Sequence, residues 1–215
     1  MMSTDQRWLR AGAWAATWSL ISVVMVFVVI RVTNDVANLS SGVVPPEGEF
    51  DRRYALNPVL AYLHIVPGVV YLLGAPAQLT SRIRARNIAL HRRIGGIVLP
   101  AGVVTAVFAI AVGIVMPFGG LVETSATIAF GLYFLVCLTL AYRAIKVIDV
   151  SRHRRWMIRA FAIGVGVGMI RIIVGFGEAF GVGISRSFGL AFWLAFALLT
   201  VAAEAWLRLR PAPYP

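Results

Sequence analysis

The stretch WMIRAFAIGVGVGMIRIIVGF, Trp156–Phe176, decides the fold class. It is 21 residues long, and only Arg159 and Arg171 carry charge. At about 1.5 Å of helix per residue it covers a hydrocarbon core of about 30 Å. Working outward, five more stretches have the same character: Ala11–Ile30, Pro58–Leu79, Ile94–Pro117, Leu121–Tyr142 and Phe188–Leu207. Hydrophobic residues make up 60% of the 215-residue chain and charged residues only 13%. The mean hydropathy is +0.83. Soluble domains carry roughly 25% charge, so a chain this apolar needs the bilayer as its solvent. The expected fold is all-α, a polytopic membrane protein of six transmembrane helices. Residues 1–215 form a single integral membrane domain, with a four-helix core of spans two to five (57–180) and flanking spans at 11–30 and 188–207.

Punctuation at the span edges agrees. Asn57-Pro58 reads as an N-cap followed by proline at the first helical position. Pro117-Phe-Gly-Gly closes the third span with a turn. Arg7 and Arg10 precede the first apolar run as in a signal peptide. Its 20 uninterrupted residues and the lack of a small-x-small cleavage site predict a retained anchor.

The basic residues orient the chain. Of its 20 Lys and Arg residues, 15 fall at the two termini and in the loops after spans two and four. These include Arg7, Arg10, Arg208, Arg210, the group Arg82 to Arg93 and the group Arg143 to Arg159. The acids Asp35, Glu47, Glu49, Asp51, Glu123 and Glu178 gather on the other side. The positive-inside bias therefore predicts both termini cytoplasmic in a bacterial inner membrane. The same distribution accounts for most of the pI of 11.2. Juxtamembrane arginines rest on anionic membrane lipids. No soluble basic face bearing aromatic residues points to nucleic acid. Trp8, Tyr142, Trp156 and Trp206 read as an aromatic belt at the inner boundary. The single cysteine, Cys137, excludes a disulfide scaffold.

The three histidines are His64, His91 and His153. Two sit in similar words, Leu90-His91-Arg-Arg and Arg152-His153-Arg-Arg, each opening an odd-numbered span. A helical period puts His64 on one stripe with Gly68, Tyr71, Ala75 and Gln78. It aligns His91 with Gly95, Gly102, Thr105, Ala109 and Gly113, and His153 with Gly164, Gly168, Arg171, Gly175 and Glu178. Small faces allow close helix packing, and Gly164-x-x-x-Gly168 has the familiar spacing. They equally allow a flat ring to lie against a helix. Both readings stay open from sequence.

Depth sorts the polar groups into two bands. His64 lies roughly 10 Å below the outer surface, and Arg171 about 22 Å from the inner end of its span. His64, Tyr71 and Arg171 are expected to meet, with Glu178 near the outer mouth. His91, His153, Gln78, Arg155, Arg159 and Glu204 form an inner band, too far from His64 to share an iron with it. An intramembrane guanidinium costs about 2.5 kcal/mol or more unless paired or hydrated. Arg171 therefore needs Glu178, a freed carbonyl or a ligand. Pro67 and Pro100 would free the carbonyls of Leu63 and Gly96.

Two histidines at one depth suit haem b, with His91 and His153 on the iron and Arg92, Arg155 and Arg159 meeting carboxylates. Histidine beside arginine, as at His64 and Arg171, also suits a quinone. H-E-x-x-H, paired cysteines, carboxylate clusters and Gly-rich phosphate loops are missing from the sequence. Transport and a non-catalytic subunit of a larger membrane complex, its His and Arg residues binding lipid or bracing helices, stand as the rival reading. The residues name a binding chemistry and no reaction.

A resemblance adds to this. His64 with Gly68, Gly74, Pro76 and Gln78, then Arg84, then Leu90-His91-Arg92-Arg93-x-Gly95, then His153-Arg154-Arg155-Trp156-Met157-Ile158-Arg159 and Arg171, resembles the bacterial membrane family of domain of unknown function 2306. The likeness covers roughly residues 57–180 and implies a motif set without a reaction. The histidine-bearing core is similar in architecture alone to membrane b-type cytochromes, without their usual pairs of histidines at matched depth on facing helices.

Overall fold

The computed structural model describes residues 4–209, with side chains from Arg7 onward. Arg210, counted above among the basic residues of the C-terminus, lies outside the described residues. The chain folds as α1 (Thr4–Ser41), α2 (Arg52–Leu56), α3 (Pro58–Leu79), α4 (Ser81–Arg86), α5 (Ile88–Val115), α6 (Gly120–Lys146), α7 (Val150–Ala179) and α8 (Ile184–Leu209). There is no strand among the described residues, and six of the helices are long and apolar enough to cross a membrane. The protein is a polytopic integral membrane protein.

Helix ends differ from the sequence expectation in instructive ways. α1 continues from Ile30 to Ser41, because Arg31, Asn34 and Asp35 find partners and so need not leave the helix. Asn57 does not cap α3 with its side chain; its amide donates to the Arg53 carbonyl at 3.1 Å and closes α2 instead. Pro58 does open α3. Two caps went unread in the sequence. Asn87 Oδ1 accepts from Leu90 N at 2.9 Å, and Asp149 Oδ1 accepts from Arg152 N at 2.8 Å. Each cap carries a histidine four residues on, and His91 N and His153 N donate to the Asn87 and Asp149 carbonyls. The two similar words thus extend to a shared helix start.

α3, α5, α6 and α7 pack in a ring, each on the next, with α3 returning to α7; α1 and α8 both lie on α7. One side chain fills the middle. Tyr71 of α3 is almost fully buried, and its ring passes between Gly102 of α5 and Gly164 of α7 toward Phe134 of α6. A Cβ at Gly102 would stand 2.8 Å from the ring, and one at Gly164 2.7 Å. The flat ring that these small faces admit is the protein's own tyrosine. Gly168, on the same side of α7, lies against the Leu20 carbonyl and lets α1 approach. These are close-packing glycines of the kind bilayers favour.

Overfilling a packed core costs about 1–3 kcal/mol. Gly102→Ala and Gly164→Ala should each lower the unfolding free energy in detergent by that amount. Gly175→Ala, whose Cβ would meet nothing within 4 Å, should stay within about 0.5 kcal/mol of wild type. In a Tyr71→Ala background the Gly164→Ala penalty should largely vanish. A penalty unchanged in that background would show that the ring is not what Gly164 accommodates.

Candidate functional site

A cavity of about 380 Å³ occupies the half of the bundle remote from the described termini, and Tyr71 is among its lining residues. All six long helices contribute to its wall, through Phe27, His64, Thr105, Thr127, Arg171 and Phe188 among others. The wall is mainly aliphatic and aromatic, with a few polar groups converging on it. That composition is typical of small-molecule sites.

His64 is held by a reciprocal clamp. Its Nδ1 lies 3.0 Å from the Thr105 carbonyl oxygen, which can only accept, so this nitrogen carries the proton. Thr105 Oγ1 in turn donates to the His64 carbonyl at 2.8 Å. Gly68 makes room, since a Cβ there would stand 3.0 Å from Thr105 Oγ1. In its neutral form the imidazole is then left with Nε2 as its open, accepting nitrogen.

Arg171 faces aromatic rings rather than a carboxylate. Its guanidinium carbon lies 5.1 Å from the Phe27 ring centre and 5.8 Å from those of Phe50 and Phe188. Rings at this range attract a cation through their negative faces. They do not use up its five N–H donors. No ion pair or hydrogen bond engages Arg171 among the described residues, and the pairing with Glu178 considered from sequence is not formed, since Glu178 is exposed. The hydroxyls of Tyr71 and Thr127, also in the lining residues, are buried without partners. Leaving such a group unsatisfied costs about 1–3 kcal/mol. The cavity therefore gathers donors and acceptors that the protein itself leaves open.

A cap closes the remote end. Arg31 pairs with Asp35 at 2.7 Å and with Asp51 at 2.6 Å, and its guanidinium sits 4.4 Å from the Tyr54 ring centre. Asn34 donates to Asp51 at 2.9 Å, and Tyr62 to Asp35 at 3.0 Å. Phe50 packs against Phe118 and Phe188 with centroids 5.3 and 5.5 Å apart. Arg53 lies over the Phe118 ring at 4.2 Å, and burial draws its pKa below the ordinary arginine value against the pull of Tyr54, Glu123 and Asp51. Glu123 accepts from the amides of Phe118 and Gly119, both at 2.6 Å, and fixes the adjoining turn. None of this cap was read from sequence as part of a site. The Arg31 and Asp35 spacing of four residues was visible, but no local signal joins either residue to Asp51.

The inner band is arranged differently. His153 Nδ1 donates to the Ala141 carbonyl at 2.9 Å. His91 Nδ1 and Gln78 Nε2 are buried without partners, and Gln78 Oε1 lies 3.1 Å from where a Cβ of Gly95 would be. Arg159 is committed to Glu204 of α8 through two bonds of 2.5 and 2.9 Å, and stacks over Trp156 at 4.6 Å. It braces α7 to α8 rather than standing open to a cofactor carboxylate. Arg155 lies near enough to add its charge at Glu204, and Arg92 is exposed. His91 and His153 are within electrostatic range of one another. No group of three or more His, Cys, Asp or Glu residues able to hold a metal occurs among the described residues.

Residues 61–207 match the model of the family described as "Predicted membrane protein (DUF2306)". The chain belongs to this family. No curated protein and no solved structure matches it. The DUF2306 match runs from α3 to α8, so it includes His64, Thr105, Thr127 and Arg171. It leaves out α1 and the 45–57 cap, which means that Arg31, Asn34 and Asp51 enclose the cavity from outside the matched region. Asp51→Asn should weaken the link to Arg31 and loosen that cap. Amide hydrogen exchange in residues 45–57 should rise several-fold, with α5 and α6 unchanged. Equal exchange in both proteins would mean that Asp51 does not hold the cap closed.

Proposed function

We propose that the cavity binds a lipid-soluble ring compound of the quinone class, as quinone or quinol, in a bacterial cytoplasmic membrane with both termini on the cytoplasmic side. The observation that carries this reading is the pairing, in one apolar cavity, of an imidazole with its accepting Nε2 open and a guanidinium with its donors open. A quinol hydroxyl donates to a neutral His64 Nε2. A quinone carbonyl accepts from Arg171. The aromatic wall takes the flat ring, and Thr127 and Tyr71 supply further hydroxyl contacts. Thr105 acts as a positioning residue, since its carbonyl fixes which nitrogen of His64 faces the ligand. The concentration of basic residues at the end with the termini supports the orientation.

Between the two cofactor classes open from sequence, the geometry favours the quinone. His153 is oriented as an iron ligand would be, with its Nδ1 tied to a carbonyl. Yet neither His91 nor His153 lines either of the two principal cavities. Gly95, the small residue beside His91, is already met by Gln78, and Arg159 is taken by Glu204. The neighbours of these two histidines are thus engaged by the protein's own side chains, which supports the quinone over haem.

A second reading has its own observation. The His64 and Thr105 clamp braces α3 to α5, and the Arg159 and Glu204 pair braces α7 to α8, as a non-catalytic subunit or transporter would need. Titration of the reconstituted protein with a short-chain benzoquinol, followed by quenching of tryptophan fluorescence, separates the two. Under the quinone reading His64→Ala and Arg171→Gln each weaken binding about tenfold or more, equivalent to about 1.4 kcal/mol. Unchanged binding in both variants with a lowered melting temperature would support bracing and overturn the ligand reading.

A further inference from the structure

We infer that the cavity takes its ring compound as the quinol in preference to the quinone, and that one nitrogen of His64 makes the choice. This rests on the quinone-class reading above and says which oxidation state that site holds. The two forms differ in their hydrogen-bonding roles. A quinone presents two carbonyls, which only accept, whereas a quinol presents two hydroxyls, which donate and accept.

The polar groups of the cavity sort by the same criterion. The hydroxyls of Tyr71 and Thr127, both without partners, donate and accept and so serve either form. Arg171 only donates, and both forms have an oxygen to receive it. Asp51, which only accepts, is taken on both oxygens by Arg31 and Asn34. His64 Nε2 is the group that discriminates, because its role is fixed from behind. Nδ1 faces two oxygens of Thr105, the carbonyl at 3.0 Å and Oγ1 at 3.1 Å, and the one hydrogen of Oγ1 goes to the His64 carbonyl at 2.8 Å. Moving the ring proton to Nε2 would set the Nδ1 lone pair against the Thr105 carbonyl. Adding a second proton would place another cation in an apolar cavity, within electrostatic range of Arg171. Nε2 therefore accepts and does not donate.

A quinol meets this arrangement with one hydroxyl donating to Nε2 and the other oxygen accepting from Arg171. A quinone placed the same way sets a carbonyl lone pair against that of Nε2. The net loss of one hydrogen bond corresponds to about tenfold in affinity. A tenfold preference for the reduced form raises the two-electron midpoint potential of the bound couple by about 30 mV. The site thus stabilises the reduced ring against oxidation.

Full-length protein in liposomes is titrated calorimetrically under argon, with protein-free liposomes as the blank. The probes are a short-chain benzoquinol, its quinone, and the dimethyl ether of the quinol, which accepts but does not donate. The quinol should bind wild type about tenfold or more tightly than either of the others. His64→Gln, whose carboxamide turns to present its oxygen or its NH2, should bring quinol and quinone within about twofold. Arg171→Gln should weaken both by a similar factor. Equal binding of quinol and quinone to wild type, or an ether that binds as the quinol does, overturns this inference and leaves the quinone-class reading standing. Binding of neither quinol nor quinone overturns both. A preference undiminished in His64→Gln, with folding checked by circular dichroism, shows that another group makes the choice and also overturns it.

Discussion

The ring of Tyr71 is wedged between Gly102 and Gly164, and the remainder of the bundle is arranged around that contact. Helices in lipid gain little from hiding apolar surface from one another, so van der Waals fit and interhelical hydrogen bonds decide their packing. A single large ring at the centre of four helices sets their separation. It demands a glycine on each neighbour it passes, and it meets Phe134 edge-on at 5.2 Å on the far side. With the middle plugged at that level, the cavity lined by His64 and Arg171 lies on the side of the ring remote from the described termini.

The cavity's chemistry follows from its position. Away from water, each polar atom must be partnered or left for something else to partner. His64 is partnered on one nitrogen and open on the other, by virtue of the carbonyl of Thr105. Arg171 is surrounded by ring faces that tolerate its charge without satisfying its N–H groups. At the remote end Arg31, Asp35, Asp51, Asn34 and Tyr62 instead pair with one another through ion pairs and hydrogen bonds, with Arg31 Nε left without a hydrogen-bond partner. One arginine closes the site and another remains available within it.

Much of the scaffold was legible because a bilayer imposes length and hydropathy directly on sequence. Every expected span overlaps a long helix, and the placing of His64, Tyr71 and Arg171 in one half of the bundle, where all three line one cavity, was readable from helical phase and depth. The cap was not legible, because Arg31 and Asp51 are twenty residues apart and joined only by the fold. The glycine stripes were legible as small faces but not as to their occupant, since periodicity places a residue on a face without saying what faces it. Asn57 had the type and position of a cap residue, yet its side chain turned back to α2, where the Arg53 carbonyl offered a competing acceptor. Arg159 looked available because its partner Glu204 lies 45 residues further on, in a helix expected only to flank the core.

The central claim is that the open nitrogen of His64 and the open guanidinium of Arg171 hold a quinone-class ring between them. It is tested most directly by mass spectrometry of an organic extract of the protein, purified from its native membrane in lipid nanodiscs, beside the Arg171→Leu variant prepared the same way. The expected result is an isoprenoid quinone near one molecule per chain in wild type, falling to background in the variant. Equal quinone content in the two preparations, or none in either, would contradict it.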